Sequence, residues 1–212
     1  MDAPEFDDAF RAQLHTLLAW RRDVRRFRGD PLPAGGIERL IATACLAPSV
    51  GFSQPWRFVI VDVPERRAAV RASFAACNAA ALAAQHGEDA ARYARLKLAG
   101  LDDAPCQLAV FADTASARGH GLGRRTMPET LEYSVVTAIH TLWLAARAEG
   151  IGVGWVSILD PAAVTAALDV PASWRLVAHL CVGYPEQADD TPALLRSGWE
   201  ERLPAEDTII RR

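Results

Sequence analysis

Residues 128–149 constrain the fold more than any other stretch. Leu131, Val135, Val136, Ala138, Ile139, Leu142, Trp143, Leu144 and Ala145 follow one another so closely that they cover most sides of a helix. A helix apolar all round is stable only when it is packed on all sides. The pattern therefore predicts a central helix, with a partner subunit as one candidate for covering part of it. Its ends carry signals of their own. Thr126 and Glu129 have the spacing of a capping box, Pro128 suits a first turn, and Gly150 stands where a left-handed C-cap is wanted.

The rest of the chain is long enough to enclose such a helix. At 212 residues and half hydrophobic by count, it suffices for one domain with its own core, expected over residues 1–212. The net charge of −3 argues against a general polyanion binder, and no basic patch with interleaved aromatics suggests RNA or single-stranded DNA. Cys45, Cys77, Cys106 and Cys181 lie far apart in apolar runs, without zinc spacing, and read as buried thiols of a cytoplasmic protein. The acidic N-terminus lacks the order of a signal peptide, and no apolar run is long enough to span a membrane.

Helices and strands alternate along the chain. Phe6, Phe10, Leu14, Leu17 and Leu18 share one face of a first helix, 6–20, and a second helix covers 37–46. Strands are expected at 57–63, 107–112, 151–158 and 176–182. Residues 65–101 form a long helical excursion between two strands, ended by Pro105. Asp160 and Pro161 start a short helix to Leu168, and 119–123 is a glycine loop. The tail 193–212 carries Leu194, Leu195, Trp199, Ile209 and Ile210, so it is expected to wrap around something, such as a second subunit.

Two constellations have chemical potential. Arg21, Arg22, Asp23, Val24 and Arg25 stand at a helix–loop junction, where guanidinium forks suit phosphate oxygens. Alone they read more readily as a solvated basic helix end, with Asp23 pairing to its neighbours. Residues 47–56, including Ser49, Val50, Gly51, Phe52, Ser53 and Gln54, combine small and hydrogen-bonding side chains before a strand. They suit a flat ligand, or an ordinary turn with a core Trp56. Gly152-Val153-Gly154 begins a strand after a helix, the wrong order for a dinucleotide fingerprint, and 119–123 lacks the rest of a P-loop. Ser157, in a strand without a nucleophile elbow, reads as a core hydroxyl. The five histidines show no metal spacing.

Taken together, the two constellations stop being ordinary. Arg-Arg-x-x-Arg-x-Phe after the first helix, then Ala-Pro-Ser-x-x-x-Ser-Gln-Pro-Trp leading into a strand, resembles the nitroreductase family over nearly the whole chain. Asp23 and Phe52 depart from the Ser and Asn common in nitroreductases. With Gly-Trp-Val-Ser at 154–157, the stretch 93–101 and Thr-Met-Pro-Glu-Thr at 126–130, they instead resemble the flavin-fragmenting 5,6-dimethylbenzimidazole synthases.

That resemblance implies an α+β nitroreductase-like fold. A mostly antiparallel central sheet would be flanked by helices, with a helical lid insertion at about 65–104 and a swapped C-terminal arm at about 193–212. It implies an intertwined homodimer with one FMN per interface. Arg21, Arg22, Asp23, Val24, Arg25, Ser49, Val50, Gly51, Ser53, Gln54, Trp155, Ser157 and Arg196 would contact the flavin, Arg196 closing over the phosphate. The implied reaction is oxygen-dependent fragmentation of reduced FMN to 5,6-dimethylbenzimidazole, the lower ligand of cobalamin (vitamin B12), and erythrose 4-phosphate. The flavin would be substrate rather than resident cofactor, no metal would take part, and a separate flavin reductase would supply it. Asp23 would serve as acid/base and Ser157 as a hydrogen-bonding hydroxyl. Phe52 would make the pocket drier. The alternatives are a conventional FMN-dependent NAD(P)H nitro, quinone or enone reductase, and a non-catalytic flavin carrier. No nucleic acid or membrane partner is expected.

Overall fold

In the computed structural model, residues 3–96 and 100–212 are described, the side chain of Arg95 excepted. Lys97, Leu98 and Ala99, part of the expected lid stretch 93–101, lie outside the described residues, as do Met1 and Asp2 of the N-terminal segment.

The strands β1 (Trp56–Ile60), β2 (Cys106–Asp113), β3 (Gly152–Val156) and β4 (Trp174–Gly183) form one sheet of order β1-β2-β4-β3. All three pairings are antiparallel, so the sheet is antiparallel throughout. Side chains alternate between its faces, and both faces are covered. Leu108, Val110 and Ala112 of β2, with Leu180 and Val182 of β4, point to one layer. There they meet α2 (Gly36–Ala44) and α5 (Thr130–Ala148). Ala109 and Phe111, with Cys181 and Val156, point to the other layer, which holds Val70 of α3 (Pro64–Ala83) and Val164 of α6 (Pro161–Leu168). Two-sided burial explains why the central strand β2 reads as a continuous apolar run rather than an alternating one.

Helix α5 is central, but only in part. Leu131, Val135, Ala138, Ile139, Leu142, Trp143 and Ala146 are buried, while Tyr133, Val136, Thr137 and His140 face outward. The expectation of burial on every side is thus corrected for one chain: one stripe of the helix has no cover from its own fold. Helix α1 (Asp8–Trp20) shows the same deficit, since none of its residues is buried and Phe6, Phe10, Leu14 and Leu18 stay exposed.

The capping box does not form. The turn before α5 closes on itself, with Thr126 Oγ1 donating to the Gly123 carbonyl (3.3 Å) and Thr130 Oγ1 to that of Met127 (2.6 Å). This moves the helix start to Thr130, with Glu129 as an N-cap that makes no side-chain bond. The other end behaves as expected. Gly150 adopts φ +75° and donates to the Arg147 carbonyl (3.0 Å), and Ile151 donates to Ala146 (2.8 Å), the paired bonds of a Schellman cap.

The helical excursion is two helices, α3 and α4 (Gly87–Arg95), broken at 84–86. Arg67 pins α3 to the sheet by donating to the carbonyls of Val61 (2.6 Å) and Pro105 (3.0 Å). The four cysteines are free, yet they are not all buried: Cys181 is, Cys77 and Cys106 are half-buried, and Cys45 is exposed. Cys45 caps the outer end of α2, beyond the reach of the core. Burial raises the Cys181 thiol pKa to about 12 and that of Cys106 to about 11.

His179, fully buried in β4, shares 3.0 Å with Gln107 Oε1, and Gln107 Nε2 donates to the Leu101 carbonyl (2.8 Å). Because the amide oxygen must accept, His179 Nε2 carries the proton and Nδ1 is left without a partner among the described residues. Burial, followed by the charge of Arg67, lowers its pKa from 6.5 to about 4. The unfolded chain binds this proton first as pH falls, so the contribution of neutral His179 is full above pH 6.5 and is lost on acidification towards about pH 4. We expect urea-unfolding free energy to fall over that window by on the order of 3 kcal/mol from this group alone. A His179→Gln variant should lack this component of the pH dependence.

Candidate active site

The site begins where α1 ends. Arg21 caps the helix, its N–H donating to the Leu17 carbonyl (2.9 Å), and the chain then runs extended along the outer edge of β3. Val24 N–H donates to the Val153 carbonyl (3.1 Å), and Asp23 Oδ1 accepts from the Trp155 N–H (2.9 Å). The carboxylate thereby takes the part of a neighbouring strand's carbonyl and covers the sheet edge. Its other oxygen accepts from Arg25 Nε (3.0 Å). Further along, Phe27 is buried and Arg28 N–H donates to the Tyr184 carbonyl (2.8 Å).

Gly152 and Gly154 exist for this docking. A Cβ on Gly152 would lie 2.7 Å from the Val24 side chain, and one on Gly154 would run into the Val24 carbonyl oxygen. A Cβ on Gly183 would come within 3.3 Å of Phe27, and one on Gly100 would overlap its ring. The glycine pair is thus a slot for a passing backbone and not a phosphate loop.

The docked segment forms one wall of a cavity of about 430 Å³. Arg22, Asp23, Val24 and Arg25 line it, with Trp143 and Arg147 from α5 and Arg196 from α7 (Ala193–Arg196). Residues 185–197 fold over it as a strap. Arg22 holds that strap, donating through Nε (2.8 Å) and Nη2 (2.6 Å) to the Asp190 carbonyl. Burial and then the neighbouring Arg21 lower the Arg22 pKa. Arg196 pairs with Asp189 inside the strap. The Arg21 guanidinium lies 4.9 Å over the Trp143 ring, and Trp143 Nε1 donates to the Arg22 carbonyl (3.2 Å). Arg147 lies 5.5 Å over Trp20. The sequence marks Trp143 only as an apolar helix residue and does not single out Arg147, although their i,i+4 spacing sets them on one face.

The second constellation lies elsewhere. Ser49 Oγ accepts from Gln54 N–H (3.1 Å), and Val50 N–H donates to Ser134 Oγ (3.0 Å). Gly51, Phe52 and Gln54 all have positive φ, at +55°, +53° and +48°. For Phe52 and Gln54 this is a strained conformation of the sort concentrated at functional loops. Gly51 is required, because its Cβ would stand 3.0 Å from the carbonyls of Gly119 and Leu122. Ser53 Oγ is buried and has no hydrogen-bond partner among the described residues. Phe52, expected to dry the pocket, is 74% exposed in the single chain.

This loop enters β1 at Trp56, the end that pairs with Ala112, whereas Asp23 docks on Val153 beside the Gly183 end of β4. The two groups therefore sit at opposite ends of opposite edge strands, roughly 20 Å apart along the strands and roughly 14 Å across the sheet. One chain brings Arg22, Asp23, Val24, Arg25 and Arg196 together, with Arg21 and Trp155 adjoining, but not Ser49, Val50, Gly51, Ser53 or Gln54. Ser157 is neither in a strand nor a core hydroxyl: β3 ends at Val156 and Ser157 is exposed just beyond it. Among the described residues no His, Cys, Asp or Glu cluster is arranged for a metal, and no helix is long and apolar enough to cross a membrane.

Substitutions at Asp23 and at the glycines test the docking. Asp23→Ala removes both acceptors and should cost about 1–3 kcal/mol in denaturant unfolding. Asp23→Asn keeps an acceptor for Trp155 and should cost less. Gly154→Ala should cost a similar 1–3 kcal/mol, while Gly29→Ala, with open space around it, should stay within about 0.5 kcal/mol of the parent.

The model of the nitroreductase family matches residues 18–184. The chain is 59% identical over 209 residues to a 5,6-dimethylbenzimidazole synthase of Rhodospirillum rubrum, covering 99% of this chain and 98% of that protein. It is 55% identical over 201 residues to a 5,6-dimethylbenzimidazole synthase of Rhodobacter capsulatus, covering 95% and 97%. Among solved structures it is similar to iodotyrosine deiodinase bound to FMN and 3-iodo-L-tyrosine (TM-score 0.71, 24% identity, 93% of this chain and 97% of that one). It is also similar to a nitroreductase-like protein of Streptococcus mutans (TM-score 0.68, 19% identity, 95% and 98%). At these identities the two structures establish the fold.

Proposed function

The chain belongs to the nitroreductase family, and from that premise we propose that it is a 5,6-dimethylbenzimidazole synthase that fragments reduced FMN with O2. The observation that carries this reading is the Asp23 carboxylate, fixed by the Trp155 amide and Arg25 at the wall of an arginine-lined cavity. Beside its structural bonds, this carboxylate stands where fragmentation of the ribityl chain needs a proton acceptor.

The residues fit an FMN-sized anion. Arg22, Arg25, Arg147 and Arg196 set positive charge around the cavity, and the Trp143 ring, backed by Trp155 with centroids 6.4 Å apart, adds flat apolar surface. Arg21 lies beside it over Trp143. Bound reduced FMN supplies the electrons and the ring atoms of the product. Arg21, Arg25 and Arg196 bind its phosphate and ribityl groups, while Val24 and Trp155 present backbone along the edge of β3. Asp23 moves a proton beside the ribityl chain, and Ser157, two residues past the amide that holds Asp23, offers a hydroxyl to the ring.

The remaining contacts come from a second copy of the chain. The loop with Ser49, Val50, Gly51, Ser53 and Gln54 lies away from its own cavity, and Ser53 Oγ has no partner among the described residues. A homodimer that covers the open stripe of α5 and the apolar face of α1 brings the loop of one copy to the cavity of the other. The whole chain then works as one domain, with α3 and α4 as a lid that keeps bulk water out and, of the 193–212 arm, the part beyond Trp199 reaching across the dimer. A separate flavin reductase provides reduced FMN, and the free thiols accord with a reducing cytoplasm.

Anaerobic reduction of FMN with the protein, admission of air and mass analysis of small molecules tests the reaction. We expect 5,6-dimethylbenzimidazole that depends on both enzyme and O2, formed at least about 100-fold more slowly by Asp23→Asn. FMN recovered intact would move the assignment to a conventional FMN-dependent reductase.

A further inference from the structure

The cavity has two walls that are distant in sequence: the strap 185–197 and Leu96 at the end of α4. Just beyond each wall stands an aromatic ring. Tyr93 is one turn before Leu96 on α4, and Trp199 stands just past the far end of the strap. Their rings meet edge to face, with centroids 6.3 Å apart and planes at 63°, an arrangement favoured by the ring quadrupoles. The Tyr93 hydroxyl also donates to Asn78 Oδ1 on α3 (3.0 Å).

We propose that Tyr93 and Trp199 are positioning residues that clasp α4 to the strap and hold the cavity closed around its ligand during the reaction. The proposal rests on the assignment of FMN to this cavity. Three observations converge on it. First, α3 is fixed to the sheet independently through Arg67 and to α6 through Arg66, which donates to the Ala167 carbonyl (3.3 Å). Among the described residues, Tyr93 ties α4 both to that fixed helix through its hydroxyl and to the strap through its ring. Second, the strap is held at its near end by the Glu186 N–H on the Arg26 carbonyl (3.1 Å) and midway by Arg22 on the Asp190 carbonyl, so the Trp199 contact secures the far end. Third, Arg196 and Ser197, which line the cavity, lie between the last two of these anchors. Opening the ring pair therefore frees both walls together. Neither ring lines the cavity, so each acts through Leu96 and Arg196 and not on the reacting atoms.

The consequence is retention. If the flavin leaves before its ring is cleaved, reduced FMN and O2 simply give FMN and hydrogen peroxide. The clasp lowers that loss.

The test is a double-mutant cycle with Trp199→Ala, Tyr93→Ala and the pair, alongside Trp199→Phe, in the full-length protein. Release of oxidised FMN is followed by flavin fluorescence, and exchange of the α4 amides by mass spectrometry. Each alanine variant should release FMN roughly three- to tenfold faster and expose α4 amides, the double variant should be no worse than Tyr93→Ala, which also loses the bond to Asn78, and Trp199→Phe should restore retention. In turnover, KM for reduced FMN and the share of intact FMN returned should rise, with kcat little changed. Additive effects in the cycle, unchanged α4 exchange, or failure of Trp199→Phe to rescue would each overturn the clasp. Wild-type protein that binds FMN but forms no 5,6-dimethylbenzimidazole would refute the proposed reaction instead, since release and exchange read the clasp without turnover.

Discussion

The docking of residues 23–27 against β3 is the contact on which the site depends. Asp23 Oδ1 receives the Trp155 amide and Val24 donates to Val153, so a carboxylate and a backbone N–H together complete an edge strand. The same two bonds fix the directions of Arg22 and Arg25, one towards the strap and the other back to Asp23. The approach is close enough that Gly152 and Gly154 must lack side chains. A residue with a catalytic assignment is thereby also part of the scaffold. Any loss of activity on replacing Asp23 has to be read against the loss of that scaffold.

Much of the fold was legible in the residues. The apolar periodicity of 128–149, the breaker at Pro105 and the Asp160–Pro161 start signal place α5, β2 and α6 to within a few residues. The capping box failed because Thr126 and Thr130 found carbonyl partners within their own turn, which a spacing rule does not weigh. Cys45 failed because an apolar neighbourhood in sequence is not burial in space: the end of α2 simply projects. Gly152-Val153-Gly154 was rightly refused as a phosphate loop, but its task could not be read. The partner that fills its slot, Val24, lies far away in sequence. The role of Arg22 as tether of the strap was hidden for the same reason.

The site divides into two groups that the sheet holds apart. Arg22, Asp23, Val24 and Arg25 line a cavity at one end of an edge strand, while Ser49, Ser53 and Gln54 belong to a strained loop at the far end of the other edge. The open stripe of α5 and the apolar face of α1 are the surfaces that one chain leaves without cover. In the proposed homodimer, a second copy would answer both deficits at once, by burying the apolar surface and by carrying the loop to the cavity. Assembly and catalysis would then share a cause, because the surface that drives association would also complete the pocket.

The most direct test of this shared site is complementation between two inactive variants. Asp23→Asn disables the cavity half, and Gly51→Val, which would press side-chain atoms against the carbonyls of Gly119 and Leu122, disables the loop half. Each should be inactive alone as a dimer. If the site is built from two copies, unfolding and refolding the two together should restore about a quarter of wild-type 5,6-dimethylbenzimidazole formation, because each mixed dimer regains one intact site. If each chain carries a complete site of its own, every site in the mixture keeps a defect and no activity returns.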